Sequence, residues 1–298
     1  MKIIVMGGAG FVGTNLIKRL LKDGHEVTSV DNYSTGFKHN HQEGCTYYEY
    51  DISSEHMLGI YVDHQRYPQW RELGFDLIFN VAALARIQPS LKNPLKTIRN
   101  NFNSALHTLE WARDDNTPVV FAGSSTLHHG LWGSPYAWSK YGGEQLCELY
   151  NKVYNLPTAI CRFYNVYGEH QLEDGAYATV VGIFEKQYRE NIPLTVTGDG
   201  EQRRDFTHID DIVDGIVRCG FNLLGDDPIA SGQAYELGRG KNYSINELTE
   251  MFGQIEVEYI PARKGEYPFT LADYTKANQE LGWNPTLNIV DYLEIIKG

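Results

Sequence analysis

The chain begins with a short apolar strand that ends in a cluster of glycines and continues directly into a helix. Residues 2–6 (KIIVM) have strand character, residues 7–13 read GGAGFVG, and residues 11–22 place Leu and Ile at helical spacing. A dinucleotide requires such a junction, because its pyrophosphate needs a tight turn, a bare backbone and the positive potential of a helix N-terminus. The glycines satisfy both the Gly-x-x-Gly-x-x-Gly and the Gly-x-Gly-x-x-Gly spacing, so the spacing leaves the subfamily open. This junction predicts a nucleotide-binding α/β fold.

Apolar strands and helical patterns alternate through the first half of the chain. Continuous apolar strands separated by helices are typical of a parallel sheet covered on both faces, and right-handed crossovers make it a Rossmann-type doubly wound sheet. We predict strands at 2–6, 26–30, 46–50, 77–81, 119–122 and 159–163. We predict helices at 11–22, 54–72, 96–113 and 136–154.

From about residue 170 this alternation gives way to short elements separated by Gly- and Pro-containing turns, such as 197–200 (TGDG). A helix near 208–224 is expected to return to the sheet. The sequence therefore predicts a smaller C-terminal substrate-binding lobe beside the dinucleotide-binding domain. We place that domain at 1–168 with a return segment at about 206–240, and the lobe at 169–205 and 241–298.

Composition and charge restrict the partners of the chain. It has 298 residues with 26 Lys and Arg against 38 Asp and Glu, a formal net charge of −12, which argues against nucleic-acid binding. No apolar run approaches the roughly 18 residues of a membrane span, and the four cysteines lie far apart. His39, His41 and Cys45 fit no common zinc spacing. We expect a soluble cytoplasmic protein with no metal and no membrane partner.

A carboxylate follows the second predicted strand, at a position where the side chain discriminates between NAD and NADP. Asp31 stands where an acidic side chain meets the adenosine ribose hydroxyls. Residues 32–34 (NYS) include no arginine for a 2′-phosphate, which favours NAD over NADP. Asp51 and Ile52 follow the third strand and are expected to face the adenine, although an ordinary loop carboxylate is nearly as consistent with Asp51.

Tyr136 and Lys140 lie four residues apart at the start of a predicted helix, so the phenol and the ammonium share one face. An ammonium beside the phenol is expected to lower the tyrosine pKa and make it a base. Alone this spacing is common by chance, and an exposed helix pair is the ordinary interpretation. The hydroxyls of residues 124–126 (SST), directly after the fifth strand, favour a shared pocket.

These features, together with residues 162–168 (RFYNVYG), resemble the extended short-chain dehydrogenase/reductase superfamily. Within it the chain is most similar to the NAD-dependent nucleotide-sugar epimerase/dehydratase family, and in particular to UDP-glucose 4-epimerase-like members. The resemblance extends from Met1 to residues 281–286 (LGWNPT).

The resemblance implies a mechanism and assigns site residues. Tyr136 removes a proton from a sugar hydroxyl as hydride passes to the nicotinamide. Ser125 hydrogen-bonds the reacting oxygen, and Lys140 orients the nicotinamide ribose. In an epimerase the keto sugar turns over and takes the hydride back on its other face. The residues assigned to NAD are Gly7, Gly10, Phe11, Val12, Gly13, Asp31, Asn32, Ser34, Asp51, Ile52, Ala82, Ala83, Asn101, Tyr136, Lys140 and Phe163.

A diphosphate ligand in an acidic protein needs local cations. Residues 198–206 (GDGEQRRDF) and 261–266 (PARKGE) resemble the family's phosphate-binding segments, which assigns Arg204 and Arg263 to the diphosphate and Asn165 to the diphosphate or sugar. Guanidinium groups suit phosphate geometry, although each arginine taken singly is more typical of a surface ion pair. The expected ligand is a nucleoside-diphosphate sugar, with UDP favoured.

Two positions next to the active-site hydroxyl discriminate among the family's reactions. Dehydratases carry an Asp-Glu pair where this chain has Thr126 and Leu127, and decarboxylases tend to keep the glutamate. We therefore predict C4 epimerisation of a UDP-hexose. The alternatives are a 4-keto reductase, a 4,6-dehydratase or decarboxylase, and a non-catalytic nucleotide-binding module.

Three further features bear on substrate and assembly. The segment 130–136 lacks about a dozen residues that relatives have there, so the sugar pocket is expected to be more open. Arg86 is an unusual cation near the expected nicotinamide side, where a uronic acid is one hypothesis for its ligand. The family commonly forms dimers through the helices predicted at 96–113 and 136–154, so a homodimer is expected.

Overall fold

The structure is a computed structural model that describes residues 1–54, 73–253 and 255–297. Most of the helix predicted at 54–72 lies outside the described residues. The strands are β1 (Lys2–Met6), β2 (Glu26–Asp31), β3 (Cys45–Glu49), β4 (Leu77–Asn80), β5 (Val119–Ser124), β6 (Thr158–Phe163), β7 (Val166–Tyr167), β8 (Leu194–Thr197), β9 (Arg203–Asp205), β10 (Thr207–His208), β11 (Gln233–Leu237), β12 (Asn242–Ser244) and β13 (Val257–Ile260).

Helices of very different lengths connect these strands. The α-helices are α1 (Phe11–Lys22), α2 (Ile87–Lys92), α3 (Pro94–Asp115), α4 (Thr126–Gly130), α5 (Pro135–Tyr154), α6 (Val180–Arg189), α7 (Ile209–Leu223), α8 (Ile245–Met251), α9 (Thr275–Leu281) and α10 (Ile289–Lys297). Short 3-10 helices lie at Lys38–Asn40 and Leu131–Gly133. In the described part of the chain, no helix is both long enough and apolar enough to cross a membrane.

Seven parallel strands form the central sheet in the order β11-β6-β5-β4-β1-β2-β3. The chain moves outward from β1 to β3, then returns to pair β4 with the other side of β1, which is the doubly wound arrangement. The α/β fold and the six predicted strands are confirmed, with ends within two residues. The seventh strand, β11, was not predicted.

Alternation along β1 divides the core between the two faces of the sheet. Ile3 and Val5 pack in a cluster with the apolar sides of α1 and α7, whereas Ile4 and Met6 pack with α3 and α5. All four side chains are fully buried, as expected for a strand covered on both faces. The predicted helices at 11–22, 96–113, 136–154 and 208–224 correspond to α1, α3, α5 and α7.

A third apolar cluster lies outside the sheet, and α6, β8, α8 and α10 contribute to it. The short segments around it are held by the buried carboxylate of Asp205. This carboxylate accepts hydrogen bonds from the backbone N–H groups of Arg239, Gly240 and Ala272 at 2.8, 2.9 and 3.0 Å. One buried carboxylate therefore ties two other chain segments, at 239–240 and at 272, to the strand that carries Arg204.

Candidate active site

A cavity of about 1450 Å³ extends from the carboxyl ends of the parallel strands into the C-terminal part of the chain. The residues after β1 and β4 line it where the order of strands reverses, which is where ligands bind in open α/β sheets. Many of the residues that the sequence assigned to a site line this cavity: Gly7, Gly10, Phe11, Val12, Gly13, Asp31, Asn32, Ser34, Asp51, Ile52, Ala82, Ala83, Ser125, Tyr136, Phe163, Asn165, Arg204 and Arg263.

The backbone of the glycine turn approaches its neighbours so closely that Gly7 and Gly13 leave no room for a side chain. Gly7 has a φ of +84°, and a Cβ there would lie 2.7 Å from the Cα of Ala82. A Cβ on Gly13 would lie 2.2 Å from the carbonyl oxygen of Gly7. Gly10 precedes α1 without a side-chain cap, so the first-turn N–H groups and the helix dipole remain to face an anion. The turn fits a pyrophosphate.

Gly13→Ala is expected to destabilise the fold by about 2 kcal/mol, because the new methyl group meets backbone that cannot rotate away. The matched control is Gly10→Ala, whose Cβ would lie at an ordinary 3.5 Å from the nearest atom, the oxygen of Gly7. Denaturant unfolding of both variants measures the difference. Equal stability of the two variants would contradict the close approach of α1 to the turn.

Asp31 is placed to receive ribose hydroxyls. Its oxygens accept the N–H groups of Ala9 at 2.9 Å and Tyr33 at 2.8 Å, one on each oxygen, which leaves each oxygen a further acceptor site. Burial raises the pKa of Asp31, and these two hydrogen bonds oppose that rise. The lining residues that follow, Asn32 and Ser34, carry no positive charge to hold a 2′-phosphate.

Asn101 lies behind the cavity lining and not on it. Its side-chain oxygen accepts the N–H of Leu84 at 2.8 Å, and its nitrogen donates to the hydroxyl of Ser139 at 3.0 Å. The buried amide thus ties the segment after β4 to α5. The amide of Asn101 is bonded to the backbone of Leu84 and the hydroxyl of Ser139, and the assignment of this residue to NAD stays a prediction.

Tyr136 and a serine hydroxyl meet in the cavity. The phenol of Tyr136 donates to Oγ of Ser124 at 3.5 Å, and that oxygen also accepts the hydroxyl of Thr126 at 2.9 Å. Ser125 lines the same cavity. The hydroxyl that the structure brings to hydrogen-bond distance of the phenol is therefore that of Ser124, and sequence position alone did not separate it from Ser125.

Lys140 lies one helical turn beyond Tyr136 and is 3% exposed. Its ammonium stands 4.4 Å from the ring centre of Phe121. Burial lowers the pKa of Lys140 to about 8, although the carboxylate of Glu144 opposes that shift. The lysine is in the interior behind the cavity, against an aromatic ring.

The electrostatics of Tyr136 differ from the prediction. Burial raises the pKa of the phenol, and the influences that lower it are the hydrogen bond to Ser124 and the positive charge of Arg86. The cation that acts on the phenol is thus Arg86 and not Lys140. The prediction that Lys140 lowers the pKa of Tyr136 was wrong in this structure because the ammonium is directed towards Phe121 and Glu144.

Glu144 is a buried residue that positions the end of β5, and it was not identified from the sequence as part of the site. It is 2% exposed, accepts the backbone N–H of Ser124 at 3.3 Å and accepts Nε and Nη2 of Arg162 at 3.0 and 2.8 Å. The four-residue spacing of positions 136, 140 and 144 could have indicated it, since these residues share one face of α5. A buried ion pair therefore fixes the end of β5 that carries the serine.

Residues far apart in the sequence bring polar side chains to the same cavity. Nη1 of Arg204 donates to the carbonyl of Tyr267 at 2.8 Å, and burial lowers the pKa of this guanidinium. Nδ2 of Asn165 donates to the carbonyl of Asp205 at 3.0 Å. Arg263 lines the same cavity. The structure brings Arg204, Arg263 and Asn165 to one cavity, as predicted.

Three carboxylates line the described part of the cavity. Among the described lining residues, the acidic ones are Asp31, Asp51 and Glu266. None of the three is a hydrogen-bond partner of Tyr136, whose phenol bonds Ser124. The arrangement can remove a proton from an alcohol, and the carboxylate whose charge acts on the phenol is that of Glu144, which is not among the described residues that line the cavity.

Comparisons with known proteins agree with this geometry. Residues 3–222 match the NAD dependent epimerase/dehydratase family. The chain is 29% identical to a putative UDP-glucose 4-epimerase of Methanocaldococcus jannaschii over 96% of this chain and 94% of that protein. The structure of UDP-glucuronic acid 4-epimerase from Bacillus cereus, in complex with UDP-glucuronic acid and NAD, superposes with a TM-score of 0.83 at 27% identity, covering 99% and 97% of the two chains. DesIV of Streptomyces venezuelae, a dTDP-glucose 4,6-dehydratase with NAD bound, gives 0.85 at 25% identity over 100% and 96%. These two solved relatives share NAD and differ in reaction.

Proposed function

Because the chain belongs to the NAD-dependent epimerase/dehydratase family, we propose that it catalyses the C4 epimerisation of a UDP-hexose. NAD is the cofactor of this family, and the glycine turn with Asp31 fits it. Membership of the family supports the enzyme class, and the residues of the site support the individual reaction.

One observation carries the choice of epimerisation. Loss of water from a sugar needs an acid and a base beside the oxidised carbon, and the family's dehydratases place an Asp-Glu pair there. This chain has Thr126, whose hydroxyl bonds Ser124, and the apolar Leu127. A reaction that moves one proton and one hydride needs only the groups that are present.

The chain's own residues bind the sugar nucleotide and move the proton of the C4 hydroxyl in two successive steps. When bound, NAD supplies the hydride acceptor and donor. As the phenolate, Tyr136 takes the hydroxyl proton onto its oxygen, with the hydroxyl of Ser124 holding that oxygen in place and Ser125 bonding the reacting oxygen. After the sugar has turned, Tyr136 returns the proton. Arg204, Arg263 and Asn165 hold the diphosphate end in both orientations.

The test is incubation of the purified protein, without added cofactor, with UDP-, GDP-, CDP- and dTDP-sugars, followed by mass spectrometry and anomeric proton NMR. The expected product has unchanged mass and an inverted C4 configuration. A product lighter by one water would overturn the interpretation of Thr126 and Leu127. Turnover that depends on added NADPH would identify a reductase instead.

The proposed function divides the molecule into two parts. We propose that residues 1–168 with the return segment at about 206–240 hold NAD, and that 169–205 and 241–298 hold the nucleotide sugar. The separate apolar cluster around α6, β8, α8 and α10 supports this division, since a lobe needs its own core. Arg204 and Arg263 line the same cavity as Tyr136, which is consistent with this division.

A homodimer through α3 and α5 is also proposed. These helices pack against each other, and several large apolar side chains on them remain exposed, which is typical of an interface. They are Leu95, Trp138, Leu149, Val153 and Tyr154.

Val153→Asp is expected to shift the protein from dimer to monomer, because Val153 is 57% exposed and an aspartate buried in a self-interface would lie unpaired. Light scattering coupled to size exclusion measures the mass. The control is Ile295→Asp, an equally apolar exposed position on α10 that should leave the dimer intact. A monomeric wild-type protein at micromolar concentration would contradict the proposal.

A further inference from the structure

Arg86 is a cation in the cavity that lacks an acidic partner. It directly precedes α2 and lines the cavity. In the described part of the chain its guanidinium has one hydrogen-bond partner, the carbonyl oxygen of Ala178, which accepts Nε at 3.2 Å, and it forms no ion pair. Burial lowers the pKa of Arg86, but an arginine remains charged at neutral pH. A partly buried charge with one neutral acceptor carries a desolvation cost that an incoming anion relieves.

The guanidinium stands at the reacting end of the cavity. Arg86 and Tyr136 line the same cavity, and the charge of Arg86 acts on the phenol of Tyr136. Tyr136 marks the position of the C4 oxygen in the proposed reaction. In a pyranose the C6 substituent is joined to C5 and therefore lies two bonds from C4. A carboxylate at C6 would therefore lie in the part of the pocket that Arg86 lines.

The described lining of the cavity is positively charged, in contrast to the chain as a whole. Its described lining residues include six cations and three carboxylates, although the whole chain has a formal charge of −12. Arg204 and Arg263 are accounted for by the diphosphate of the sugar nucleotide. The remaining lining cations are Arg86, Lys92, Lys96 and Lys264. Of these, Arg86 is the one whose charge acts on the catalytic phenol.

We propose that Arg86 binds the C6 carboxylate of a nucleoside-diphosphate uronic acid, and that this chain selects such sugars over neutral hexoses. The assignment rests on the proposed function, because that function places C4 beside Tyr136. The guanidinium keeps its Nη1 and Nη2 edge for the substrate, since the recorded bond to Ala178 uses Nε. A carboxylate accepts that edge in the bidentate geometry that arginine favours.

The test is calorimetric binding to the NAD-loaded Tyr136→Phe protein, which holds substrate without turning it over. UDP-glucuronate is expected to bind more tightly than UDP-glucose. Adding Arg86→Gln is expected to weaken UDP-glucuronate binding by roughly 30-fold or more and to remove the preference. Arg86→Lys keeps the positive charge but loses the two parallel N–H donors of the guanidinium, so it is expected to retain part of the preference for UDP-glucuronate. The control is Arg218→Gln on the outer helix α7, which pairs with Asp214 and should leave the preference unchanged.

The outcomes separate this assignment from the proposed reaction. Equal weakening of both sugars by Arg86→Gln, or a wild-type preference for UDP-glucose, overturns the role of Arg86 and leaves C4 epimerisation standing. An Arg86-dependent preference for UDP-glucuronate, with a product that has lost carbon dioxide or keeps its C4 configuration, overturns the epimerase and leaves the carboxylate site standing. If Arg86→Gln fails to fold, the comparison of Arg86→Lys with wild type decides.

Discussion

Tyr136→Phe is expected to lower kcat on the order of 10³-fold or more, because the change removes the group that takes and returns the proton. The phenyl ring fills the same space, and Ser124 keeps its hydrogen bond from Thr126, so the fold should persist. Burial holds the pKa of Tyr136 above its ordinary value, so we also expect wild-type kcat/KM to rise with pH above neutrality. Steady-state kinetics on the sugar that the panel identifies measures both effects.

The matched control for this variant is Tyr141→Phe. Tyr141 is on the same helix, but it is not among the described residues that line the cavity. Its substitution should leave kcat within about twofold, as for surface changes generally. Retention of more than a tenth of wild-type kcat by Tyr136→Phe would show that another group moves the proton.

Lys140→Met is expected to stabilise the protein at pH 7 by about 3 kcal/mol, measured with NAD removed. The folded state lowers the pKa of Lys140 from 10.5 to about 8, and each pKa unit corresponds to about 1.4 kcal/mol. Methionine is apolar and of similar length, so it fills the site without the buried charge. The same variant should bind NAD more weakly if Lys140 orients the nicotinamide ribose.

The pH dependence of that difference has a definite sign. Below pH 8 the lysine is protonated in both states, so the folded wild type carries the full desolvation cost. Between pH 8 and 10.5 the folded state has released the proton that the unfolded state still binds, so wild-type stability rises with pH relative to the variant. The advantage of Lys140→Met should fall to about 1 kcal/mol by pH 10.

Urea unfolding of wild type and variant between pH 6.5 and 10 measures this difference. Lys152→Met is the control, because Lys152 is on the same helix with its side chain 70% exposed and pairs with Glu148 at the surface. It should change stability by less than about 1 kcal/mol at any pH. A Lys140→Met protein less stable than wild type at pH 7 would show that Phe121 and Glu144 more than offset the desolvation of the ammonium.

Much of the fold could be predicted from the sequence because the first six strands of the sheet are buried on both faces or flanked by amphipathic helices. The strand β11 escaped prediction because its sequence, QAYEL, mixes two polar side chains with apolar ones at the edge of the sheet. Its Tyr235 and Leu237 are fully buried, yet Glu236 binds His128 and Tyr164. The helix α6 was missed for a related reason, since its apolar face packs on the smaller core and not on the sheet.

The glycine turn and its neighbours were predictable because their function is local. Gly7, Gly13 and Asp31 act through backbone approach and through the end of a strand, and both are readable from spacing along the chain. The hydrogen bonds of Asn101 to Leu84 and Ser139 could not be predicted, because these partners reach it only in the folded protein.

By itself the sequence determined six of the seven strands of the sheet, the dinucleotide turn and the set of residue types at the active site, because periodicity and short motifs specify which side chains share a face. Only the tertiary structure decided which groups meet there. It placed Ser124 against the phenol of Tyr136, turned Lys140 towards Phe121, and set the charge of Arg86 beside the same phenol. Electrostatic interaction depends on distance and burial, and neither follows from separation along the chain between residues 86 and 136.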